Sequence, residues 1–373
     1  MAMKSLSKAI GLAAMAMSGA VLADAPTLKE VLGASGITAT GFVDASYVHQ
    51  SINPADQSVL VNYFDDHKDT FNLQQAAVTI SSLPKEGFGA LVNITGGNDA
   101  DHIHSNGGSS SNLDITQAYV QYATGPITAM AGKFNTLAGA EVIDPTANTN
   151  ITRSIAFLNA LPFTHTGVRF AYAPIDTLTL YAGINNGWDQ QKDDNNEKTL
   201  ELGFLLAPTS MVTWTGSFYN GKEHVDPTDL TSPNTNRRLF DTVLTVKPVD
   251  GLSLVLNYDN LTQENVNGSQ DAKVTAWIGY INYALTSEWH MSLRGEVFDD
   301  KDDARLGLVD LTTGDPSKKT KEYTLTVGYA PSANFEIRGE VRQDKTDKEA
   351  FVTTSGGSTD KATTLALETY YKF

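Results

Sequence analysis

The residues best suited to chemistry are histidines and aspartates that cluster at a few points of the chain. His102 and His104 stand close to Asp99 and Asp101, and imidazole and carboxylate groups are common metal ligands. A solvated loop is the preferred interpretation of this cluster. The acidic run 299–303 lacks the ligand spacing and the glycine of a calcium-binding loop. We therefore predict no metal site.

Sequence motifs of catalysis are missing as well. The chain has no Gly-x-Ser-x-Gly elbow, no phosphate-binding P-loop and no His-Glu-x-x-His pair. It has no cysteine, which excludes disulfides and thiolate chemistry. Its net charge of -16 disfavours nucleic-acid binding, which needs a concentrated basic surface. We expect neither an enzyme nor a cofactor, and no nucleic-acid partner.

A further set of charged residues recurs at every second position. Arg294 and Glu296 form one such pair, and the run from Glu336 to Arg342 alternates Glu and Arg. Because successive side chains of a strand point to opposite faces, these charges share one face. They either form ion pairs across neighbouring strands or line an aqueous space.

The elements that carry these residues are β-strands throughout. From about residue 38 the chain repeats runs of roughly 10 residues that alternate apolar with polar side chains, as in Leu178-Thr179-Leu180-Tyr181. Helical spacing fits none of them. We predict about sixteen strands, near 38–50, 68–82, 87–98, 112–123, 127–135, 163–174, 176–186, 198–207, 210–220, 237–248, 250–261, 270–284, 287–299, 320–331, 333–345 and 361–373.

The connections between these runs alternate between tight and long. Tight ones such as 174–175 and 331–332 contain proline, whereas long ones such as 221–236 and 300–319 are rich in polar residues. This alternation is typical of a transmembrane antiparallel up-and-down β-barrel, with short periplasmic turns and long outer loops. A soluble barrel with an apolar interior is the alternative, but a ring of about sixteen strands is too wide for side chains to fill.

The start of the chain reads as an export signal. Lys4 and Lys8 precede an apolar stretch from about Ala9 to Leu22, which is too short to span a bilayer as a helix. We predict a signal peptide at 1–23, a periplasmic N-terminal segment at 24–37 and the barrel at 38–373. The expected location is the bacterial outer membrane, with the lipid bilayer as one partner.

The final strand carries a specific local pattern. Leu365, Leu367, Thr369, Tyr371 and Phe373 share one face, and the last residue is aromatic. This pattern is similar to the C-terminal signature of outer-membrane proteins. The resemblance implies that the barrel-assembly machinery recognises the strand that ends at Phe373.

The plan of the whole chain resembles Gram-negative porins of about sixteen strands, in particular the β-barrel porin families. The segment Gly132-Lys133-Phe134-Asn135-Thr136 is similar to the strand-ending Gly-Lys-Phe element of porins. The resemblance implies a water-filled pore for passive diffusion of small polar or charged solutes, and a homotrimer. A plugged structural barrel or adhesin, which binds partners through its long acidic loops, is the alternative.

The third long connection, at about 136–162, holds many aliphatic residues for a loop exposed to water. In porins the loop at this position folds inward, so by resemblance Glu141, Asp144 and Arg153 lie at the constriction. The alternative is a surface loop in subunit contacts. The other residues expected to line the pore are Lys133, Arg169, Arg294, Glu296, Arg338, Glu340 and Arg342.

The charge pattern departs from porins that carry basic residues on their early strands. The first four strands offer Asp44, Gln75, Asn93, Gln117 and Gln121 to the interior, without a clear arginine ladder. A mild preference for cations is therefore expected from the overall acidity alone. Lipopolysaccharide is an expected partner. The acidic runs 65–67 and 299–303 are interpreted mainly as solvated loop tips, and bridging of divalent ions to lipopolysaccharide is their alternative role.

Overall fold

The structure is a computed structural model that describes residues 32–53, 64, 67–106, 112–225, 231–266 and 271–373. The predicted signal peptide at 1–23 and most of the predicted segment at 24–37 lie outside these residues. No helix in the described ranges is long and apolar enough to cross a membrane.

Sixteen strands form the barrel, as the alternating pattern predicts. Most predicted boundaries agree with the structure to within two residues, since a change from alternation to turn residues marks each end. The strands are β1 (Thr38–Gln50), β2 (Thr70–Ser82), β3 (Gly87–Gly96), β4 (Leu113–Thr124), β5 (Ile127–Asn135), β6 (Thr164–Ile175), β7 (Leu178–Asn185), β8 (Thr199–Thr209), β9 (Val212–His224), β10 (Asn234–Val249), β11 (Leu252–Gln263), β12 (Ala272–Ala284), β13 (Trp289–Asp300), β14 (Lys319–Ser332), β15 (Phe335–Thr346) and β16 (Lys361–Lys372).

Each strand pairs with its sequence neighbours, and β1 pairs antiparallel with β16 to close the ring. Gly41 and Phe373 complete the closure through two backbone hydrogen bonds of 3.0 and 2.9 Å. Closure leaves no strand edge with unpaired backbone groups, which is the condition for placing a sheet in hydrocarbon. The fold class predicted from the sequence is thereby confirmed.

Short elements occupy the long connections. Helix α1 (Asn98–Ile103) lies between β3 and β4, and helix α2 (Ile155–Asn159) lies between β5 and β6. A 3-10 turn at Pro145–Ala147 precedes α2 in the same connection. A two-stranded hairpin of Phe351–Val352 and Ser358–Thr359 lies between β15 and β16. The alternating pattern does not predict these elements, because each has too few residues to show a repeat of apolar and polar side chains.

The two faces of the wall differ as a membrane barrel requires. Outward side chains such as Leu180, Ile184 and Leu367 are exposed, although they are apolar. Inward side chains such as Arg294 and Glu296 are buried, although they are charged. Aromatic pairs stand near the periplasmic turns, including Phe88 with Tyr122 and Trp289 with Tyr329, each with ring centroids 4.7 Å apart.

The inner face also has an apolar part. Tyr219, Leu239, Leu261, Ile278 and Phe298 point inward from β9 to β13 and are buried together. They form one cluster with apolar residues from the connection between β5 and β6, which supplies Ile155, Ala156, Phe157 and Leu158. Burial of this apolar surface holds the connection against the wall.

Gly132 occupies a position near the end of β5 that other residues cannot take without strain. Its φ angle is +137°, and a Cβ added there would lie 2.2 Å from the carbonyl oxygen of Ala118 on β4. The glycine of the Gly-Lys-Phe element is therefore explained by the close approach of two strands.

Replacement of Gly132 by alanine is expected to destabilise the barrel by about 1–3 kcal/mol, because the strained backbone and the contact with Ala118 must both be accommodated. The measurement is the urea midpoint of unfolding in detergent micelles. Gly339→Ala is the matched control, since no atom lies within 4 Å of a Cβ at Gly339. Equal midpoints for the two variants would contradict the explanation.

Candidate pore constriction

The connection between β5 and β6, residues 136–163, is here named the third loop. Its first part is held by inward side chains of the opposite wall. The Leu137 N–H donates to the Tyr219 hydroxyl at 2.9 Å, and the Ala140 N–H donates to Asn257 Oδ1 at 3.0 Å. Tyr219 stands on β9 and Asn257 on β11, so the loop crosses from β5 towards the second half of the barrel.

Glu296 on β13 binds the amino end of helix α2. Its two carboxylate oxygens accept the N–H groups of Ile155 and Ala156 at 2.7 and 2.8 Å. The Ser154 side chain caps the same end by accepting the Phe157 N–H at 3.1 Å. A helix this short leaves most of its N–H groups without internal partners, so the carboxylate of the wall satisfies donors that are otherwise costly to bury.

Glu340 on β15 accepts loop N–H groups in the same way, four residues earlier in the chain. It accepts the N–H groups of Ile151 and Thr152 at 2.7 and 3.0 Å. The Thr326 hydroxyl on β14 also donates to Glu340 at 2.6 Å. The carboxylate is thus shared between the wall and the loop.

Three arginines on β13 and β15 bind the loop carbonyls. Arg294 donates to the Thr152 carbonyl at 2.6 Å, and Arg342 donates to the Arg153 carbonyl at 2.5 Å. Arg338 donates to the carbonyls of Asn148 and Pro145 at 2.6 and 3.1 Å. Each arginine also pairs with a carboxylate of the wall, on Glu322, Asp344 and Glu368 respectively.

Glu141 joins two parts of the loop to the wall. Its carboxylate accepts the Ser154 N–H at 2.7 Å and an Arg294 N–H at 2.7 Å. Burial alone would raise the pKa of this carboxyl, but Arg294, the Ser154 N–H and Arg153 outweigh burial and hold the pKa below its usual range. Glu141 is therefore ionised at neutral pH, and its contact with Arg294 is a charged pair.

Arg153 stays within the loop. It donates to the carbonyls of Ile151 and Ile143 at 3.1 and 3.0 Å, and its guanidinium lies 5.7 Å from the Phe157 ring centre. These contacts fold the loop onto itself. The side chain is buried, so its charge does not face open space.

Lys133 and Arg169 lie on the wall near the base of the loop. Lys133 pairs with Asp114 at 3.0 Å, and Arg169 pairs with Glu201 at 2.5 Å. The Arg169 guanidinium also lies 4.2 Å from the ring centre of Phe134, which belongs to the Gly-Lys-Phe element. Both cations are therefore neutralised by a carboxylate on a nearby strand.

An open cavity of about 470 Å³ lies on the other side of the loop. On the barrel wall it is bounded by part of the inner face of β1 to β5, and the polar side chains of these strands that line it are amides and hydroxyls. The loop contributes Val142, Ile143, Asp144 and Thr146. The lining residues from the wall include Thr40, Gln75, Thr79, Asn93, Thr116, Gln117 and Asn135, with Lys372 at one end.

The predicted lining residues thus fall into separate environments. Asp144 borders the cavity, where it also caps the 3-10 turn by accepting the Thr146 N–H at 2.8 Å. Glu141, Arg294, Glu296, Arg338, Glu340 and Arg342 lie between the loop and the wall of β13 to β15. Lys133, Arg153 and Arg169 are bound to their own neighbours.

Sequence reasoning did not single out Tyr219, Asn257, Glu322 or Asp344 as loop or arginine partners. All four obey the inward parity of their strands, which was the available signal. Parity shows the face of a residue but not its height or its partner across the barrel. Contacts between Leu137 and Tyr219, which are 82 residues apart, cannot be derived from it.

The histidines singled out above make contacts with neighbouring groups of the protein. Within the described residues, no group of three or more His, Asp or Glu side chains is arranged to hold a metal ion. His104 instead contacts the Asp101 carbonyl at 2.5 Å. Asp99 is buried in α1 next to Gln74, and burial raises the pKa of its carboxyl to about 7.

A family model described as "Putative beta-barrel porin-2, OmpL-like" matches residues 36–373. The chain belongs to this porin family. The porin also resembles solved outer-membrane barrels in fold. The alignment with OmpT of Vibrio cholerae covers 90% of this chain and 97% of OmpT, with 12% identity and a TM-score of 0.60. The alignment with an anion-selective porin from Comamonas acidovorans covers 90% of this chain and 99% of that porin, with 11% identity and a TM-score of 0.62. No curated protein matches the porin sequence.

Removal of the Glu296 carboxylate is expected to loosen helix α2, because two buried N–H groups lose their acceptor at a cost of about 1–3 kcal/mol each. In Glu296→Ala, we expect amide hydrogen exchange of a peptide spanning 150–160 to become at least roughly tenfold faster. The control is Glu288→Ala in the exposed turn before the same strand. Unchanged exchange in Glu296→Ala would contradict the anchoring role.

Proposed function

We propose that small polar solutes diffuse passively through this porin between the third loop and the inner face of β1 to β5. The observation that carries the proposal is the asymmetry of the interior. On one side, the backbone groups of the loop form hydrogen bonds with charged side chains of β13 to β15, so neither set of groups is available to a solute. On the other side, a cavity of about 470 Å³ is lined by amides and hydroxyls.

In this proposal the third loop acts as a fixed constriction. Its backbone is bound at intervals from Leu137 to Ala156 by side chains of four different strands. A loop attached at so many points does not swing aside when a solute passes. Solute size is therefore limited by the space beside the loop.

Charge selectivity is expected to be weak. Among the residues that the structure describes, the cavity lining includes one acidic side chain, Asp144, and one basic side chain, Lys372. Arg294, Arg338 and Arg342 are each paired with a buried carboxylate, so these three cations contribute little field to the path. A mild cation preference then follows from the net charge of -16, which acts over about 10 Å at 0.1 M salt.

The remaining parts of the proposal concern export and assembly. We propose that residues 1–23 direct export, that residues 24–37 remain on the periplasmic side and that the assembly machinery recognises the strand ending at Phe373. We also propose a non-enzymatic homotrimer in contact with lipopolysaccharide. Support for the trimer comes from a fold neighbour, OmpT of Vibrio cholerae, which has been solved in a trimer form.

Conductance in planar lipid bilayers tests the proposed function. Purified protein should give stepwise openings, and neutral sugars should enter proteoliposomes up to a sharp size limit. A complete lack of conductance by folded protein would contradict the proposal and favour the plugged-barrel alternative.

A charge reversal at Asp144 is expected to shift ion selectivity, because this side chain borders the narrow path within a Debye length of passing ions. Asp144→Lys should move the reversal potential in a salt gradient towards anion preference. Asp176→Lys, which makes the same change in an exposed periplasmic turn, is the control. Equal reversal potentials for the two variants would place Asp144 away from the path.

Release of the loop is expected to widen the path. Glu296→Ala combined with Glu340→Ala removes the acceptors of four loop N–H groups. Single-channel conductance should rise, and current noise should increase, because the loop then samples other positions. The same barrel with Glu288→Ala should keep the wild-type conductance; a double variant indistinguishable from wild type would refute the fixed constriction.

A further inference from the structure

Lysines occupy the outer surface where β14, β15 and β16 reach the long-loop end of the barrel. Lys321 lies directly opposite Lys345 in the β14–β15 register, and Lys345 lies opposite Lys361 in the β15–β16 register. All three side chains are exposed. Adjacent strands are about 4.7–4.9 Å apart, so three positive charges stand side by side. We name these residues the lysine row.

Such an arrangement is unfavourable unless something negative binds to it, because like charges directly opposite each other destabilise a sheet. Asp360 lies 3.7 Å from Lys345, and Asp299 lies 3.6 Å from the neighbouring Lys319. In the described part of the chain, Lys321 and Lys361 form no ion pair. The row is therefore only partly neutralised by the protein, although the chain as a whole is acidic.

An apolar groove begins next to the lysine row. Gly279 on β12 pairs with Gly295 on β13, and both point outward, so the wall lacks side chains there. No atom lies within 4 Å of a Cβ at Gly279. The groove measures about 790 Å³, and its outward walls are Leu254, Ile281, Leu293, Tyr323, Leu325 and Val341.

The groove and the lysine row form one continuous surface. Tyr323 and Gln343 line the groove, and they lie opposite each other in the β14–β15 register. Each is two residues from a lysine of the row, Lys321 or Lys345, on the same face of its strand. A molecule that fills the groove with an apolar chain therefore brings its polar end to the lysines.

We propose that this surface binds a phosphorylated lipid of the outer leaflet, with an acyl chain in the groove and a phosphate at the lysine row; this inference rests on the lipopolysaccharide contact proposed above and names a site for it. Lysine ammonium groups bind phosphate as point charges. A diphosphorylated lipid A supplies two phosphates, which is one for each of the two lysines of the row that form no ion pair within the described residues. The groove opens to hydrocarbon on the outer face of the barrel, so an acyl chain reaches it without crossing the wall. The site is independent of the pore.

The first test uses purified diphosphoryl lipid A and native mass spectrometry of the full chain in detergent. A triple variant of the lysine row should retain the lipid roughly tenfold less well, or worse; its substitutions are Lys321→Gln, Lys345→Gln and Lys361→Gln. The matched control combines Lys85→Gln, Lys192→Gln and Lys247→Gln, which are exposed lysines away from the row. Equal retention by the two triple variants would overturn the proposal.

Two further arms separate phosphate recognition from acyl-chain binding. Monophosphoryl lipid A should bind wild-type protein more weakly than the diphosphoryl form, and added salt should reduce the difference. Gly279→Leu fills the groove without changing charge and should weaken both lipids. If Gly279→Leu instead changes the oligomer mass and leaves lipid retention unaltered, the groove is a subunit contact and the lipid proposal fails.

The fold and the pore are monitored separately. Every variant should keep wild-type conductance and heat-modifiable gel mobility, since the substituted residues face lipid or solvent. Loss of lipid retention with normal conductance supports the site. Variants that lose conductance as well would show that the substitutions damage the barrel, and Gly279→Ala would then replace Gly279→Leu as the smaller change, with weakened retention still required.

Discussion

The constraint on which the interior depends is the need to satisfy the backbone of a long irregular segment enclosed by a barrel. A strand of the wall pairs its N–H and C=O groups with its neighbours, but the third loop has no such partners. The wall supplies them as side chains. Glu296 and Glu340 accept the loop N–H groups, while Arg294, Arg338 and Arg342 donate to its carbonyls. Without these contacts the cost of unpaired groups would favour a loop released into water.

This constraint explains the charge pattern that first attracts attention in the sequence. Alternating Glu and Arg on β13 and β15 provides acceptors and donors at regular spacing along a surface on which the loop lies. The sequence left two interpretations of these charges open, namely ion pairs between strands and the lining of an aqueous space. Neither of them alone describes what these residues do. Arg294 pairs with Glu322 on the next strand, and it binds the loop as well. The arginine charges are thereby neutralised, and in the proposed path the polar lining comes from the amides and hydroxyls of the early strands.

Much of the fold could be predicted from the sequence, because alternation and turn residues are local signals. The predicted strand at 127–135 coincides with β5, and the predicted strand at 361–373 differs from β16 by one residue. The inward parity of Arg294 and Gln75 follows from the same pattern. The partners across the barrel do not follow, since the contact between Ile151 and Glu340 spans 189 positions and depends on the path of the third loop. Short elements such as α2 are likewise set by their caps, not by periodicity.

Accessibility of introduced cysteines tests the central claim most directly, and the natural chain contains no cysteine to interfere. Asn93 and Ser292 both point inward, but Asn93 borders the cavity, whereas Ser292 contacts Asn150 of the loop at 3.1 Å. A charged methanethiosulfonate reagent should block current through Asn93→Cys and leave Ser292→Cys unaffected. Block of Ser292→Cys with no effect on Asn93→Cys would contradict the account, because the path would then lie on the other side of the loop.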